Sequence, residues 1–313
     1  MFLTNALRIA LASSALVCAA AQDGLFRAYL AAEGNDANPC TLAAPCRLLP
    51  AALTAVADGG EIWMLDSANY NTATVTIDKA VSILAVPGVV GSIVALNGGP
   101  AIVIDSTDQP IIALRNVVIG PVAGAAAGSD GVQVNAAATL TIEKSVIANL
   151  PGYGVHVKNG ATLKVNKTVL RNNGNFAIRL DDYSRAMVSG SQMLGNAAGG
   201  VLAYGNYSGL AATVSISDSV ISGGNYGVSA YADLSGAAAR ISIARSTIER
   251  TSKALDSEAS SGAAEVSFGS SLIADNGQSW NVFGASAKVL SLGNNQLRGN
   301  GAPLGVLTPL APQ

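Results

Sequence analysis

Three charged side chains, Asp181, Asp182 and Arg185, lie close together in the sequence, with Arg179 just before them and Lys158 upstream. Carboxylates beside a basic group can serve acid–base chemistry, and a solvated strand displays the same pattern with no chemistry at all. His156 is the only histidine in the chain, so a multi-histidine metal centre is excluded. It alternates with Val155 and Val157, which predicts an outward, solvent-exposed ring. Tyr204, Tyr207 and Tyr231 are the aromatic candidates. Exposed tyrosines flanked by hydrogen-bonding groups suit sugar rings, which have an apolar face and polar edges. The same residues could simply support strand pairing.

Composition limits what these residues can do. Eighteen Lys plus Arg stand against 20 Asp plus Glu, for a net charge of −2, so there is no electrostatic case for nucleic acid. Half of the residues are hydrophobic, which excludes a disordered chain. With 55 alanines and only 5% aromatic residues, the core must be thin and built from small and β-branched side chains. The uncharged run 80–104 is broken by Pro87-Gly88, Gly91 and Asn97-Gly98-Gly99-Pro100. It therefore reads as short buried strands and not as a membrane span.

The N-terminus reads as a signal peptide over residues 1–21. Arg8 supplies the positive region, Ile9 to Val17 the apolar stretch, and Ala19-Ala20-Ala21 the cleavage site. A lipidated Cys18 is the alternative, with Val17 standing where a small residue is wanted. Cleavage removes Cys18 and leaves Cys40 and Cys46, an even pair that in an exported chain is most simply a disulfide. Closing so short a loop stabilises by about 2 kcal/mol on the chain-entropy model. Export leaves the periplasm, the cell surface and the medium as destinations.

The elements that must position the charged and aromatic residues follow from a repeat. Val118-Ile119, Val146-Ile147, Val169-Leu170, Met193-Leu194, Val220-Ile221, Thr247-Ile248, Leu272-Ile273 and Gln296-Leu297 recur at separations of 23 to 28 residues. A period of that length over eight copies is a solenoid signature. Five residues earlier come Ile142, Val165, Ser189 (the one exception), Ile216, Ile243, Phe268 and Leu292, within stretches of strict alternation. Two residues later come Asn149, Asn172, Asn196, Gly223, Arg250, Asp275 and Gly299, types largely suited to tight corners, with the asparagines able to stack inside as a ladder. A second short strand follows each corner and puts Val155, Ile178, Val201, Val228 and Leu255 in one inward column. Alternation then sets two outward columns: His156, Arg179, Leu202, Ser229, Asp256 and, beyond it, Lys158, Asp181, Tyr204, Tyr231, Glu258. Leucine-rich, helical and propeller repeats all fail on spacing. The fold class is all-β, a right-handed single-stranded parallel β-helix.

Residues 22–60 should form an opening strand at Phe26–Leu30, the cysteine loop, and an amphipathic helix from Leu48 to Ala57 ended by Asp58-Gly59-Gly60. That helix would cap the first coil. Coils fill 61–300, and 301–313 is a loose tail. Gly34-Asn35-Asp36, Pro45-Cys46-Arg47, the helix, Gly59-Gly60-Glu61-Ile62 and the later coils resemble exported right-handed parallel β-helix proteins of the pectin-lyase-like superfamily over residues 26–300. The resemblance implies a fold and leaves the activity open, because that superfamily includes lyases, hydrolases, esterases, epimerases and adhesins. Galacturonan hydrolases imply Gly-His-Gly and Arg-x-Lys patterns, and pectin methylesterases imply Gln-Asp and Asp-Phe pairs; the coils over 61–300 have none of them. Calcium-dependent pectate lyases imply acidic metal ligands beside a proton-abstracting base, which Asp181, Asp182 and Arg185 could imitate. The expectation is an exported scaffold or binding protein contacting polysaccharide through Lys158, Arg179, Tyr204, Tyr207 and Tyr231, without cofactor. A lyase or hydrolase with a divergent site, using Ca²⁺, is the alternative.

Overall fold

The computed structural model describes residues 24–122, 124 and 126–310. The expected signal peptide with Cys18, and the last residues of the tail, lie outside the described residues. The rest winds as a parallel β-solenoid. Three sheets of 12, 9 and 10 strands run its length, every pairing between named strands is parallel, and each coil contributes one strand per sheet over most of the length.

The interior is a stack of three apolar columns. In the 12-stranded sheet, Ile62, Ile83, Leu114, Ile142, Val165, Val188, Ile216, Ile243 and Phe268 pair in register and are buried. In the 10-stranded sheet the column runs from Ile93 through Ile147, Leu170 and Met193 to Ile273. In the 9-stranded sheet Val155, Ile178, Val201, Val228 and Leu255 line up and are fully buried, as alternation requires. The registers also remove the Ser189 exception. Met193, not Leu194, pairs with Leu170 and Ile221, so that coil is shifted by one and its inward partner five residues earlier is Val188. At the last coil Ser291 pairs with Phe268, and Leu292 lies outside the column.

The corners carry the polar ladders. Asn149 and Asn172 hold φ of +62° and +54°, and in the shifted coil the left-handed residue is Gly195 at +61°. The internal ladder sits one residue further along, at Asn173 and Asn196, where the Asn173 amide donates to Asn196 Oδ1 at 2.9 Å. The expected inner stack of Asn149 and Asn172 is thus corrected: a left-handed corner residue points its side chain outward, and its successor turns in. A second ladder, at the other corner, was not read from the sequence. The backbone N–H groups of Ser145, Thr168, Ser191, Ser219 and Ser246 each donate to the hydroxyl one coil further on. These bonds satisfy amides that a sharp corner would otherwise leave buried and unpaired.

At the N-terminal end, Leu25–Leu30 is the opening strand, Cys40 and Cys46 form the disulfide, and the helix spans Leu49–Ala55. The helix is shorter than expected. Val56 already pairs with Leu25, so strand Val56–Met64 begins where the amphipathic pattern still ran, and Gly59 bends inside it at φ +76°. Leu49, Ala52 and Leu53 pack over the first coil and cover its apolar end. The run 80–104 forms strands Val81–Ala85, Gly91–Ala95 and Ile102–Ile104. Among the described residues no helix is long and apolar enough to cross a membrane.

Candidate functional site

The outer face of the 9-stranded sheet gathers most of the residues with chemistry. Strands Val155–Val157, Phe176–Leu180, Gly199–Gly205, Tyr226–Ala232 and Lys253–Ala259 stack in register and present three parallel rows. The middle row is His156, Arg179, Leu202, Ser229 and Asp256. One flanking row is Lys158, Asp181, Tyr204, Tyr231 and Glu258. The other is Tyr153, just before its strand, and then Phe176, Gly199, Tyr226 and Lys253, which begin theirs. Successive members of a row stand one strand spacing apart, about 4.8 Å.

His156 points outward as alternation demands, but it is only 8% exposed, so its expected exposure is corrected. The Tyr153 ring lies 4.9 Å from the imidazole, and Asp181 covers it from the next coil. Asp181 is itself 7% exposed. Alternation fixes the direction of a side chain; it says nothing of what the adjacent coil lays over it. His156 Nε2 and Asp181 Oδ2 share a hydrogen bond at 2.8 Å, and Asp130 Oδ2 stands 3.9 Å from Nδ1. Arg179 Nε donates to Asp181 Oδ1 at 2.7 Å, and its Nη1 donates to the Tyr153 hydroxyl at 2.7 Å. Asp130 accepts from the Tyr153 backbone N–H and from Gln133 Nε2. Burial pushes the Asp181 carboxyl up, but the hydrogen bonds from His156 and Arg179 together outweigh it and hold the group below the usual carboxylate range. For Arg179, burial works against the charge, and Asp181 with Tyr153 reverses that and strengthens it.

Both oxygens of Asp181 are therefore spoken for. Asp182, its neighbour, turns away with φ +60° and accepts the Asn159 backbone N–H at 2.9 Å. Arg185 begins strand Arg185–Ser189 in the 12-stranded sheet, round the corner from Asp181. The three charged candidates are thus divided among a buried network, a turn and another face. No hydrogen bond or ion pair joins them among the described residues, and a cation at Asp181 would meet the Arg179 guanidinium already bonded to it. No group of three His, Cys, Asp or Glu side chains converges as a metal-binding set among the described residues.

The tyrosines do come together. Tyr204 and Tyr231 pair directly, stacked with centroids 5.5 Å apart and planes 18° from parallel, and both remain partly exposed. The Tyr204 hydroxyl donates to Asp233 Oδ2 at 2.6 Å. That bond, helped by burial, pushes its pKa up to about 12. The guanidinium of Arg179 lies 5.4 Å from the centroids of both Tyr153 and Tyr204, so it links the two flanking rows. Tyr207 is half-exposed on the following loop and meets Tyr183 edge to face at 5.5 Å. Lys158 is partly exposed at the start of the row.

The third row escaped the sequence reading. Tyr153, Phe176, Tyr226 and Lys253 stand two residues before the inward valine or its equivalent in each coil, where strict alternation would place them inward; a buried small residue between the two, such as Ala177 or Ala254, breaks the alternation. Phe176 and Tyr226 lie on coils separated by that of Gly199, yet they stack at 5.9 Å across it. Gly199 has φ +150°, and a Cβ there would strike the Tyr226 carbonyl and crowd the Phe176 ring. Asp256 lies buried in the middle row, held by Ser229 Oγ and Asn281 Nδ2, each at 2.7 Å.

The fold and this face define a right-handed β-helix protein with an aromatic and charged outer sheet. The model of the right handed beta helix region matches residues 101–302, and the chain belongs to that family. Among solved structures, it is similar to an alginate lyase from Paenibacillus sp. str. FPU-7, at 14% identity over 83% of this chain and 96% of that one, with a TM-score of 0.61. It is also similar to the pectate lyase Pel9A, at 16% identity over 91% of this chain and 78% of that one, again with a TM-score of 0.61. At those identities the likeness is one of fold. No curated protein matches the chain by sequence.

Proposed function

We propose that this protein is an exported polysaccharide-binding protein, acting at the cell envelope or outside it without catalysing a reaction on its ligand. The observation that carries this reading is the Tyr204–Tyr231 stack, partly exposed, with Arg179 beside it. Two near-parallel rings one coil apart offer an apolar ledge for the C–H faces of a pyranose, and the Arg179 guanidinium and Tyr231 hydroxyl offer donors at its edge. The Cys40–Cys46 disulfide supports an oxidising destination. The hydrogen bond already made by each oxygen of Asp181 and Asp130 supports a structural role for these carboxylates.

A second reading has one observation in its favour: the solved structures that resemble this chain include an alginate lyase and a pectate lyase. On that reading Asp181 and Asp182 would hold Ca²⁺ and Arg185 would take a proton, which requires the two aspartates to leave their present partners and Arg185 to come round from another sheet. One experiment separates the two. The protein is titrated with neutral and acidic oligosaccharides, and parallel samples with and without calcium are assayed for unsaturated and reducing-end products. Binding that falls about tenfold in Tyr231→Ala, with unchanged thermal stability and no product, supports the binding protein. Calcium-dependent turnover abolished by Asp181→Ala overturns it.

A further inference from the structure

On the corner beyond the tyrosine ledge, a cleft of about 360 Å³ lies between Tyr183, Arg185, Thr213, Arg240 and the loop residues Gly209 and Gly236. Arg185 pairs with Thr213 and Thr213 with Arg240, so the two arginines project from the same face of the 12-stranded sheet two strand spacings apart, about 9.6 Å. Both side chains are exposed, and neither has an ion pair or a side-chain hydrogen bond among the described residues. Arg171 and Arg298 are likewise exposed and unpaired among the described residues, but they stand five strands apart in the 10-stranded sheet, whereas Arg185 and Arg240 line one cleft. Arg27, Arg115, Arg179, Arg245 and Arg250 each have a carboxylate oxygen within 3.1 Å. Glu265 stands beside Arg240 in register and forms no ion pair with it.

The surroundings complete a site. Tyr183 lies over Gly160, where a Cβ would strike its ring, and meets Tyr207 edge to face. Gly209 and Gly236 adopt φ of +78° and +79°, and the Gly209 N–H donates to the Gly236 carbonyl at 2.9 Å, which keeps the two loops low beside the arginines. Tyr207, three residues after Tyr204, belongs to the loop that follows strand Gly199–Gly205. Aromatic surface thus leads from the ledge on one sheet towards the arginine pair on the next.

We infer that Arg185 and Arg240 form an oxyanion subsite that grips two acidic groups of a polyanionic glycan, with Thr213 donating between them. Each guanidinium is a planar fork matched to a carboxylate or a sulfate ester. Their spacing fits acidic groups on alternate residues of an extended chain. The inference rests on the sugar-binding reading above and adds the charge class of the ligand and a second point of attachment.

The test is calorimetric titration of the full chain and its variants with three probes of matched length: oligogalacturonate, a sulfated dextran oligomer and neutral dextran. Wild type should bind an acidic probe more tightly than the neutral one, with an affinity that falls as salt is raised. Arg185→Gln with Arg240→Gln should weaken the acidic probe about tenfold per arginine and leave neutral dextran unchanged. Galacturonate and sulfate-ester arms show which oxyanion the subsite prefers. The exposed arginines Arg171 and Arg298, on the 10-stranded sheet, supply the control. If Arg171→Gln with Arg298→Gln weakens the acidic probe equally, the effect is diffuse charge and the subsite is refuted. If acidic binding survives the Arg185 and Arg240 pair of changes but falls in Tyr231→Ala, the ledge stands and the subsite fails. If the reverse holds, the subsite stands and the ledge fails.

Discussion

Replacing Asp181 separates a structural carboxylate from a catalytic one. Its side chain is 10% exposed and bonds His156 through one oxygen and Arg179 through the other. Asp181→Ala strands two donors. Removing one partner of a buried charged pair costs about 3–5 kcal/mol, and the value belongs near 3 kcal/mol because the Arg179 side chain is 25% exposed and water can reach it. Asp181→Asn keeps the volume and an acceptor for Arg179, while the imidazole can change tautomer to accept from the new amide. That variant should lose about 1 kcal/mol. Urea unfolding followed by circular dichroism, compared by midpoint, reads both losses. The pH dependence adds a second check. The folded-state carboxyl titrates below its unfolded value, so its contribution is complete above the unfolded pKa of about 3.9 and disappears as pH falls through the folded one. The gap between wild type and Asp181→Asn should be constant above about pH 5 and close on further acidification. An Asp181→Ala protein within about 0.5 kcal/mol of wild type at pH 7, or a gap that does not change with pH, refutes the reasoning. A more stable Asp181→Ala protein would point instead to a strained, functional carboxylate.

Two further outcomes probe the scaffold. Val228→Asp buries an unpaired charge at a fully enclosed position, so hydrogen exchange should show the coils around 201–255 opening by at least 4 kcal/mol relative to wild type, while the coils near the N-terminal helix keep their protection. Gly199→Ala should lower the urea midpoint by an amount equivalent to about 2–4 kcal/mol and disturb the near-ultraviolet signal of the Phe176–Tyr226 stack, because the new methyl meets the Tyr226 carbonyl at a strained φ.

How much of this was legible in the sequence depends on which interaction set each feature. The coil period, the inward column at Val155, Ile178, Val201, Val228 and Leu255, and the pairing of Tyr204 with Tyr231 all follow from alternation and repeat length, which are properties of the chain alone. The one-residue slip at Met193 escaped because two adjacent apolar residues fit the anchor equally well and only pairing with Leu170 and Ile221 decides between them. The serine ladder was visible as a Ser or Thr before five of the eight anchor pairs, at Ser145, Thr168, Ser219, Ser246 and Ser271. Its purpose was not, because the amide it satisfies belongs to the preceding coil.

The charged cluster shows the same limit more sharply. Asp181, Asp182 and Arg185 are neighbours in sequence, yet in a solenoid proximity along the chain and proximity in space diverge at every corner. One residue of separation carries Asp182 into a turn and four carry Arg185 onto another sheet. The real neighbours of Asp181 are His156, one coil below, and Arg179, two residues before it on the same strand. Arg185 pairs with Thr213 and through it shares a column with Arg240, 55 positions away and two coils above. Function on such a fold is written in columns, one residue per coil, and the residues that could meet a long polymeric ligand are those that share a column. Tyr204 with Tyr231, and Arg185 with Arg240, satisfy that condition; the cluster that local sequence suggested does not.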